Sequence, residues 1–149
     1  LQHDLVLVGQ TPPGYERFAK GATIGPEDAK AGVTFTGHIS NARLAGLYRC
    51  ADLFVSPSLF EGCGMPIVEA LGLGVPTIAA ARSAVPEVSQ GLAMLVDEPL
   101  DVSAWTEAIE RALADLASLK PAVEESERLR RHHDPAHVAE RYHQVMISI

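Results

Sequence analysis

Five short apolar runs, each ending near a turn-forming residue, set the strongest limit on how this chain can fold. They cover residues 5–9, 33–37, 53–57, 77–81 and 94–97. Each run is rich in aliphatic side chains and lacks polar alternation, which is the pattern of a strand covered on both faces. We therefore predict buried parallel strands.

Amphipathic helical patterns lie between and after these runs. Apolar stripes that follow a capping residue or a proline predict helices after Ser40, from Pro66 to about Gly72, after Asp101 and from Pro135. The polar stretch over 120–133 is also predicted to be helical. Residues 10–32, rich in Gly and Pro, predict a loop with one short helix. Strands alternating with helices predict an α/β protein with a Rossmann-like, doubly wound parallel sheet.

Charge and cysteine content exclude several classes of function. The chain has 149 residues, the size of one domain, and a formal net charge of -7, which argues against a nucleic-acid surface. No apolar stretch approaches the ~20 residues of a spanning helix. Cys50 and Cys63 have neither metal-type spacing nor the number for a disulfide framework, which favours a reducing cytoplasm. We predict no metal site, because a proline between His133 and His137 interrupts the helix that would align them.

The densest chemical signal follows the third apolar run, in the segment SLFEGCGMPIVEALGLGVP. Gly62 and Gly64 allow a backbone to approach a ligand closely, and the amides that enter the following helix favour an anion. Glu61 and Glu69 flank this loop, where two carboxylates can accept hydrogen bonds from sugar hydroxyls in one pocket. From the pattern alone a second interpretation stays open: Glu61 caps local amides, Glu69 lies on a solvated helix face, and the glycines only make a turn.

The longer string from Gly37 to Ala80 resembles the core of the retaining GT-B glycosyltransferases of the family-4 type, the glycosyl transferases group 1. Their motif reads P-S-x-x-E-G-x-G-x-P-x-x-E-A, and it is matched here by Pro57, Ser58, Glu61, Gly62, Gly64, Pro66, Glu69 and Ala70. The resemblance continues to the final helix. It implies that residues 1–149 are the donor-binding half of a GT-B fold, without its first strand and helix and without the N-terminal acceptor domain.

The resemblance also implies an activity. It predicts metal-independent, cofactor-independent transfer of a hexose from a GDP- or UDP-linked sugar to a glycan, lipid or small-molecule acceptor. The acceptor would be bound by the missing N-terminal domain, which precedes Leu1. The implied location is the cytoplasm, or the membrane periphery through that missing domain.

Site residues follow from the same resemblance. Glu61 is the catalytic candidate, since the first motif Glu contacts the donor sugar, and Glu69 would bind the ribose. The loop residues Gly62, Cys63 and Gly64 would lie against sugar and diphosphate. His38 and Ile39 would line the nucleobase, although His38 is equally compatible with an exposed loop histidine.

Some positions depart from the family pattern. Ser83, Ala84 and Ala93 stand where members usually have glycine, and the Ser-Ala-Val-Pro-Glu-Val form is similar to a subgroup with bacterial polysaccharide mannosyltransferases. The Arg and Lys that neutralise the leaving diphosphate in the family would precede Leu1. A non-catalytic nucleotide- or sugar-binding module is therefore the alternative function, whereas a flavodoxin-like regulatory domain gives no reason for Glu61 and Glu69 around a glycine loop.

Overall fold

The computed structural model describes residues 3–9 and 32–147. The chain divides into two compact units, Leu1–Gly46 and Leu47–Ile149. Each unit is described by itself. The loop and short helix predicted for residues 10–32 fall, apart from Gly32, outside the described residues.

The N-terminal unit contains a two-stranded parallel sheet. Strands β1 (Leu5–Leu7) and β2 (Val33–Phe35) pair with Leu5 opposite Val33. The prediction of parallel strands is confirmed, but the prediction of burial on both faces is wrong for this pair. Leu5 is 52% exposed and Phe35 is 40% exposed.

Helix α1 (Asn41–Cys50) begins where the sequence predicts. The Ser40 Oγ accepts a bond from the Arg43 amide at 3.4 Å, and the Ser40 carbonyl accepts one from the Leu44 amide at 2.9 Å. These are the contacts of an N-cap residue. The boundary between the units falls within this helix, and its second half carries the buried Tyr48.

The C-terminal unit contains a three-stranded parallel sheet. Its strands are β3 (Phe54–Ser56), β4 (Thr77–Ala80) and β5 (Met94–Val96), in the order β3-β4-β5. Every residue of the central strand β4 is buried, as its apolar sequence predicts. Ile78 of this strand is opposite Val55 on one side and Met94 on the other.

Helices connect and follow these strands. They are α2 (Met65–Gly72), α3 (Val85–Val88), α4 (Val102–Ala114), α5 (Leu116–Leu119), α6 (Val123–His132) and α7 (Pro135–Ile147). Neighbouring residues of a strand point to opposite faces. Ala79 packs in one core cluster with Leu71 of α2, whereas Ile78 packs in a second with Ala112 of α4. The α/β class with doubly wound parallel strands is thus confirmed.

Helix α6 holds the C-terminal end of α2 in place. The Ser126 Oγ donates a buried hydrogen bond of 2.7 Å to the Leu71 carbonyl. A Cβ on Gly72 would come within 2.8 Å of the Arg130 Cγ, so glycine allows the two helices to approach closely here. The helix predicted over 120–133 begins only at Val123. Pro121 disfavours a helical conformation at Lys120, whose backbone is extended.

The last helix, α7, is the least packed part of the unit. It contains no buried residue, and Tyr142 and Met146 are among its exposed apolar side chains. In the part of the chain that is described, no helix is both long and apolar enough to cross a membrane.

Candidate functional site

The Glu61 loop, residues 57–64, connects β3 to α2. It follows the carboxyl end of β3, which is the end of a parallel strand where α/β proteins bind their ligands. A cavity of about 270 Å³ lies at the opposite end of the strands, where Ala51 and Pro76 precede β3 and β4. That cavity is therefore distinct from the predicted site.

Gly64 makes the turn from this loop into α2. Its φ is 59°, in the left-handed region that favours glycine, and its carbonyl accepts bonds from the Ile67 amide at 2.9 Å and the Val68 amide at 3.2 Å. A Cβ at this position would also lie 3.2 Å from the Val88 Cγ2. The backbone angle thus favours glycine, and a larger residue would also need a small shift of the Val88 side chain. The same hypothetical Cβ would lie 4.0 Å from the Cβ of Glu61, so the turn brings Glu61 next to the start of α2.

Glu61 itself is half-buried, and its backbone is bonded to the loop that follows β4. The Ser83 Oγ donates a hydrogen bond of 2.8 Å to the Glu61 carbonyl. Because β3 and β4 are neighbours, this bond joins two loops at the same edge of the sheet. Ser83 was noted in the sequence only as a departure from glycine.

The amides of Gly62, Cys63 and Gly64 lie in the turn before α2, where Gly62 and Cys63 are exposed and Gly64 is buried. None of them has an acceptor among the residues that the structure describes, and no side chain caps α2. Free amides at the start of a helix attract anions. The Cys63 thiol is exposed and free, with its Sγ 3.8 Å from the Met65 Sδ.

Glu69 lies on the exposed side of α2, whose other side contributes Ile67 and Leu71 to the core. The exposed position agrees with either interpretation of this residue from the sequence. The buried Tyr48, however, lies beside it. The Tyr48 hydroxyl donates to the Pro66 carbonyl at 3.3 Å, and its ring packs edge-on against Phe54 with 5.5 Å between centroids.

The surroundings of the Tyr48 hydroxyl change its pKa. Burial, followed by the charge of Glu69 and a hydrogen bond to its carboxylate, raises the pKa of Tyr48 to about 12. The hydroxyl therefore keeps its proton at neutral pH and has two competing acceptors, the Pro66 carbonyl and the Glu69 carboxylate. The helical pattern after Ser40 gives no indication of this role for Tyr48. The available signal was that a buried tyrosine hydroxyl needs a partner.

His38 and Ile39 belong to the N-terminal unit and follow β2. The side chain of His38 is exposed and that of Ile39 is half-buried. Their assignment to the nucleobase stays a prediction, as do the sugar and ribose assignments of Glu61 and Glu69.

Comparison with known proteins decides the family. The model of the family described as "Glycosyl transferases group 1" matches residues 2–115. The chain belongs to this family. It is similar to O-antigen chain mannosyltransferase B of Escherichia coli, with 40% identity over 83 residues that cover 56% of this chain and 22% of that protein.

Solved structures give the same result for the fold. Sucrose-phosphate synthase from Thermosynechococcus elongatus superimposes with a TM-score of 0.73 and 28% identity, covering 98% of this chain and 39% of that one. HepE from Anabaena, in complex with UDP, superimposes with a TM-score of 0.79 and 20% identity, covering 99% of this chain and 42% of that one. These neighbours are GT-B glycosyltransferases, which confirms the predicted family and fold class.

Coverage limits what these likenesses mean for the whole molecule. The chain spans 22% of the length of the mannosyltransferase and about two fifths of the two solved chains. The matches therefore establish the family of this chain, and the activity of a whole enzyme is proposed below.

Proposed function

We propose that this chain is the donor-binding half of a retaining glycosyltransferase, which moves a hexose from a nucleoside-diphosphate sugar to a glycan, lipid or small-molecule acceptor. The observation that carries the proposal is the Glu61 loop, which turns through a left-handed Gly64 into α2 at the carboxyl end of β3 in a group 1 glycosyl transferase. This arrangement supplies carboxylates and free amides in one short segment.

The sugar, the ribose and the diphosphate of a nucleotide sugar each have a counterpart in this segment. The hydroxyls of the sugar would donate to Glu61, and those of the ribose to Glu69. A carboxylate that accepts from a hydroxyl makes a short, charge-assisted hydrogen bond. Tyr48 lies beside Glu69 and would limit the positions open to its carboxylate.

The diphosphate would lie against the free amides of residues 62–64. Backbone amides stabilise charge that develops on a leaving group, and they need no metal to do so. Transfer would accordingly proceed without a metal or another cofactor. Further positive charge and the acceptor site would come from an N-terminal domain, and the protein would act in the cytoplasm or at the membrane periphery through that domain.

The relatives support a nucleotide-sugar donor and suggest which sugars to test first. HepE was solved in complexes with UDP and with UDP-glucose, and the 40% identical relative is a mannosyltransferase. The donor would therefore be linked to UDP or GDP. The mannosyl relative favours GDP-mannose as the first donor to test.

Binding measurements test the donor site. We expect titration calorimetry of the chain to detect UDP, GDP or one of their sugar conjugates, and we expect the double variant Glu61→Gln, Glu69→Gln to weaken that binding. The matched control is Glu107→Gln, Glu110→Gln on the exposed side of α4, which removes the same charge elsewhere. Equal loss in both double variants, or no binding by the wild type, would contradict the proposal.

Transfer of a radiolabelled sugar separates the enzyme from the binding-module alternative. We expect turnover by the full-length protein and none by residues 1–149 alone, because an attack needs donor and acceptor held together in one closed cleft. Donor binding without turnover by the full-length protein would favour a non-catalytic module.

A further inference from the structure

Ser83 has a backbone conformation that few residues with a Cβ adopt. Its φ is 54°, and in the described part of the chain it shares a positive φ with only one other non-glycine residue, Gln90. The left-handed region is unfavourable for such residues, and strain of this kind concentrates at functional sites. Gln90 follows α3 and precedes Gly91, and no hydrogen bond of its side chain is found among the described residues. Ser83, by contrast, uses its side chain.

The side chain of Ser83 makes the one long-range hydrogen bond to residues 57–63 found among the described residues. Its Oγ donates to the Glu61 carbonyl at 2.8 Å, across 22 positions of sequence. The other side-chain bonds of this segment are local, such as the one from the Ser58 Oγ to the Phe60 carbonyl. The backbone position of Glu61 thus depends on a contact that starts from a strained residue.

We propose that Ser83 is a positioning residue that fixes Glu61 for contact with the donor sugar. This inference rests on the proposed function. Glycine, the residue usual at this position in the family, would adopt the same φ without strain but would have no hydroxyl to donate. In this chain the strained serine gains a hydrogen bond that holds the Glu61 loop to the loop after β4.

Two substitutions separate the hydrogen bond from the strain. Ser83→Gly removes both, so we expect an equal or higher melting temperature together with weaker binding of the sugar nucleotide. Ser83→Ala removes the bond and keeps the strain, so we expect a lower melting temperature and equally weakened binding. The expected loss of affinity is roughly two- to tenfold, the worth of one neutral hydrogen bond. Stability and affinity that move in opposite directions in Ser83→Gly cannot arise from a structural role alone.

Ligand choice localises the effect. UDP-glucose and GDP-mannose carry the sugar that Glu61 would contact, whereas UDP and GDP do not. We expect Ser83→Gly to weaken the sugar nucleotides more than the bare diphosphates, because the bond to the Glu61 carbonyl also orients the peptide that carries the Gly62 amide. The control is Gln90→Gly, which relieves the other left-handed residue and should stabilise the fold without changing any affinity.

The outcomes are distinct. Wild-type affinity for sugar nucleotides in Ser83→Gly would overturn the inference and leave the proposed function intact. An equal loss for sugar nucleotides and bare diphosphates would also overturn it, because the effect would then not pass through Glu61. Failure of the wild type to bind any of the four ligands would instead remove the proposed function, and the inference with it.

Discussion

The loop that carries Glu61 and the helix that carries Glu69 are adjacent in the chain, yet they are held by different means. Helix α2 is held by burial: Ile67 and Leu71 are fully covered, and Ser126 of α6 bonds to its end. The Glu61 loop is held by a left-handed turn and one hydrogen bond from Ser83. Burial fixes an element through many contacts, whereas the loop depends on very few. Substitutions in α2 should therefore change stability first, and substitutions in the loop should change binding first.

The largest effect is expected in the buried face of α2. Leu71 is 0% exposed, and Leu71→Ala should lower the free energy of unfolding by about 2–5 kcal/mol, because it leaves a cavity between α2 and the sheet. Leu100→Ala is the control, since Leu100 is 83% exposed and should change stability by less than about 0.5 kcal/mol. Urea unfolding measures both. Similar values for the two variants would mean that burial does not hold this helix.

A smaller effect is expected on the exposed side of the same helix. Glu69→Ala should weaken binding of UDP or GDP by about 1–3 kcal/mol, because it leaves the ribose hydroxyls without their acceptor. Its stability should stay close to that of the wild type, since Glu69 is exposed. Titration calorimetry with Glu110→Ala as the control decides the matter. Unchanged affinity for every nucleotide would remove Glu69 from the ribose site.

The elements that carry the candidate site could be predicted from the sequence, but two of its hydrogen bonds could not. The sequence predicts the positions of β3 and α2 closely. The signals are the apolar run at 53–57, the proline at 66 and the glycines at 72 and 74, because residue type determines both hydrophobicity and backbone freedom. The hydroxyl contacts of Tyr48 and Ser83 could not be located in the same way. Each joins residues far apart in sequence, and only the fold brings them together.

The strands of the N-terminal unit show a second limit of sequence reasoning. β1 has the same apolar character as β4, but β4 is fully buried while Leu5 and Val6 are exposed. The residue types of a strand show which of its side chains are apolar enough to be buried. They do not record whether other elements pack against both faces of that strand.

Tyr48→Phe should have a still smaller effect on nucleotide binding than Glu69→Ala. The variant keeps the ring against Phe54 and removes one hydroxyl, so the expected loss is about 0.5–1.5 kcal/mol. Calorimetry with UDP and GDP measures it. A loss as large as that of Glu69→Ala would mean that the hydroxyl contacts the ligand directly rather than through the carboxylate.

The same residue predicts a dependence of stability on pH. Because folding raises the pKa of Tyr48 from 10.0 to about 12, the folded state keeps a proton that the unfolded state loses between these values. This contribution to stability is complete below the unfolded pKa and is lost as pH rises through the folded one. Urea unfolding of the wild type and Tyr48→Phe across this range should therefore show a steeper fall for the wild type. Parallel curves would contradict the burial of the hydroxyl beside Glu69.

The smallest effect is expected at Cys63, in the middle of the Glu61 loop. If the loop binds the diphosphate through its amides, the exposed thiol is not needed, and Cys63→Ser should change nucleotide affinity by less than about 0.5 kcal/mol. Covering the same amides should have the opposite result, so a maleimide attached to Cys63 in a Cys50→Ser background should block binding. Calorimetry before and after labelling tests both statements. Loss of binding in Cys63→Ser alone would show that the thiol contacts the donor, and the loop would then act through its side chains rather than through its backbone.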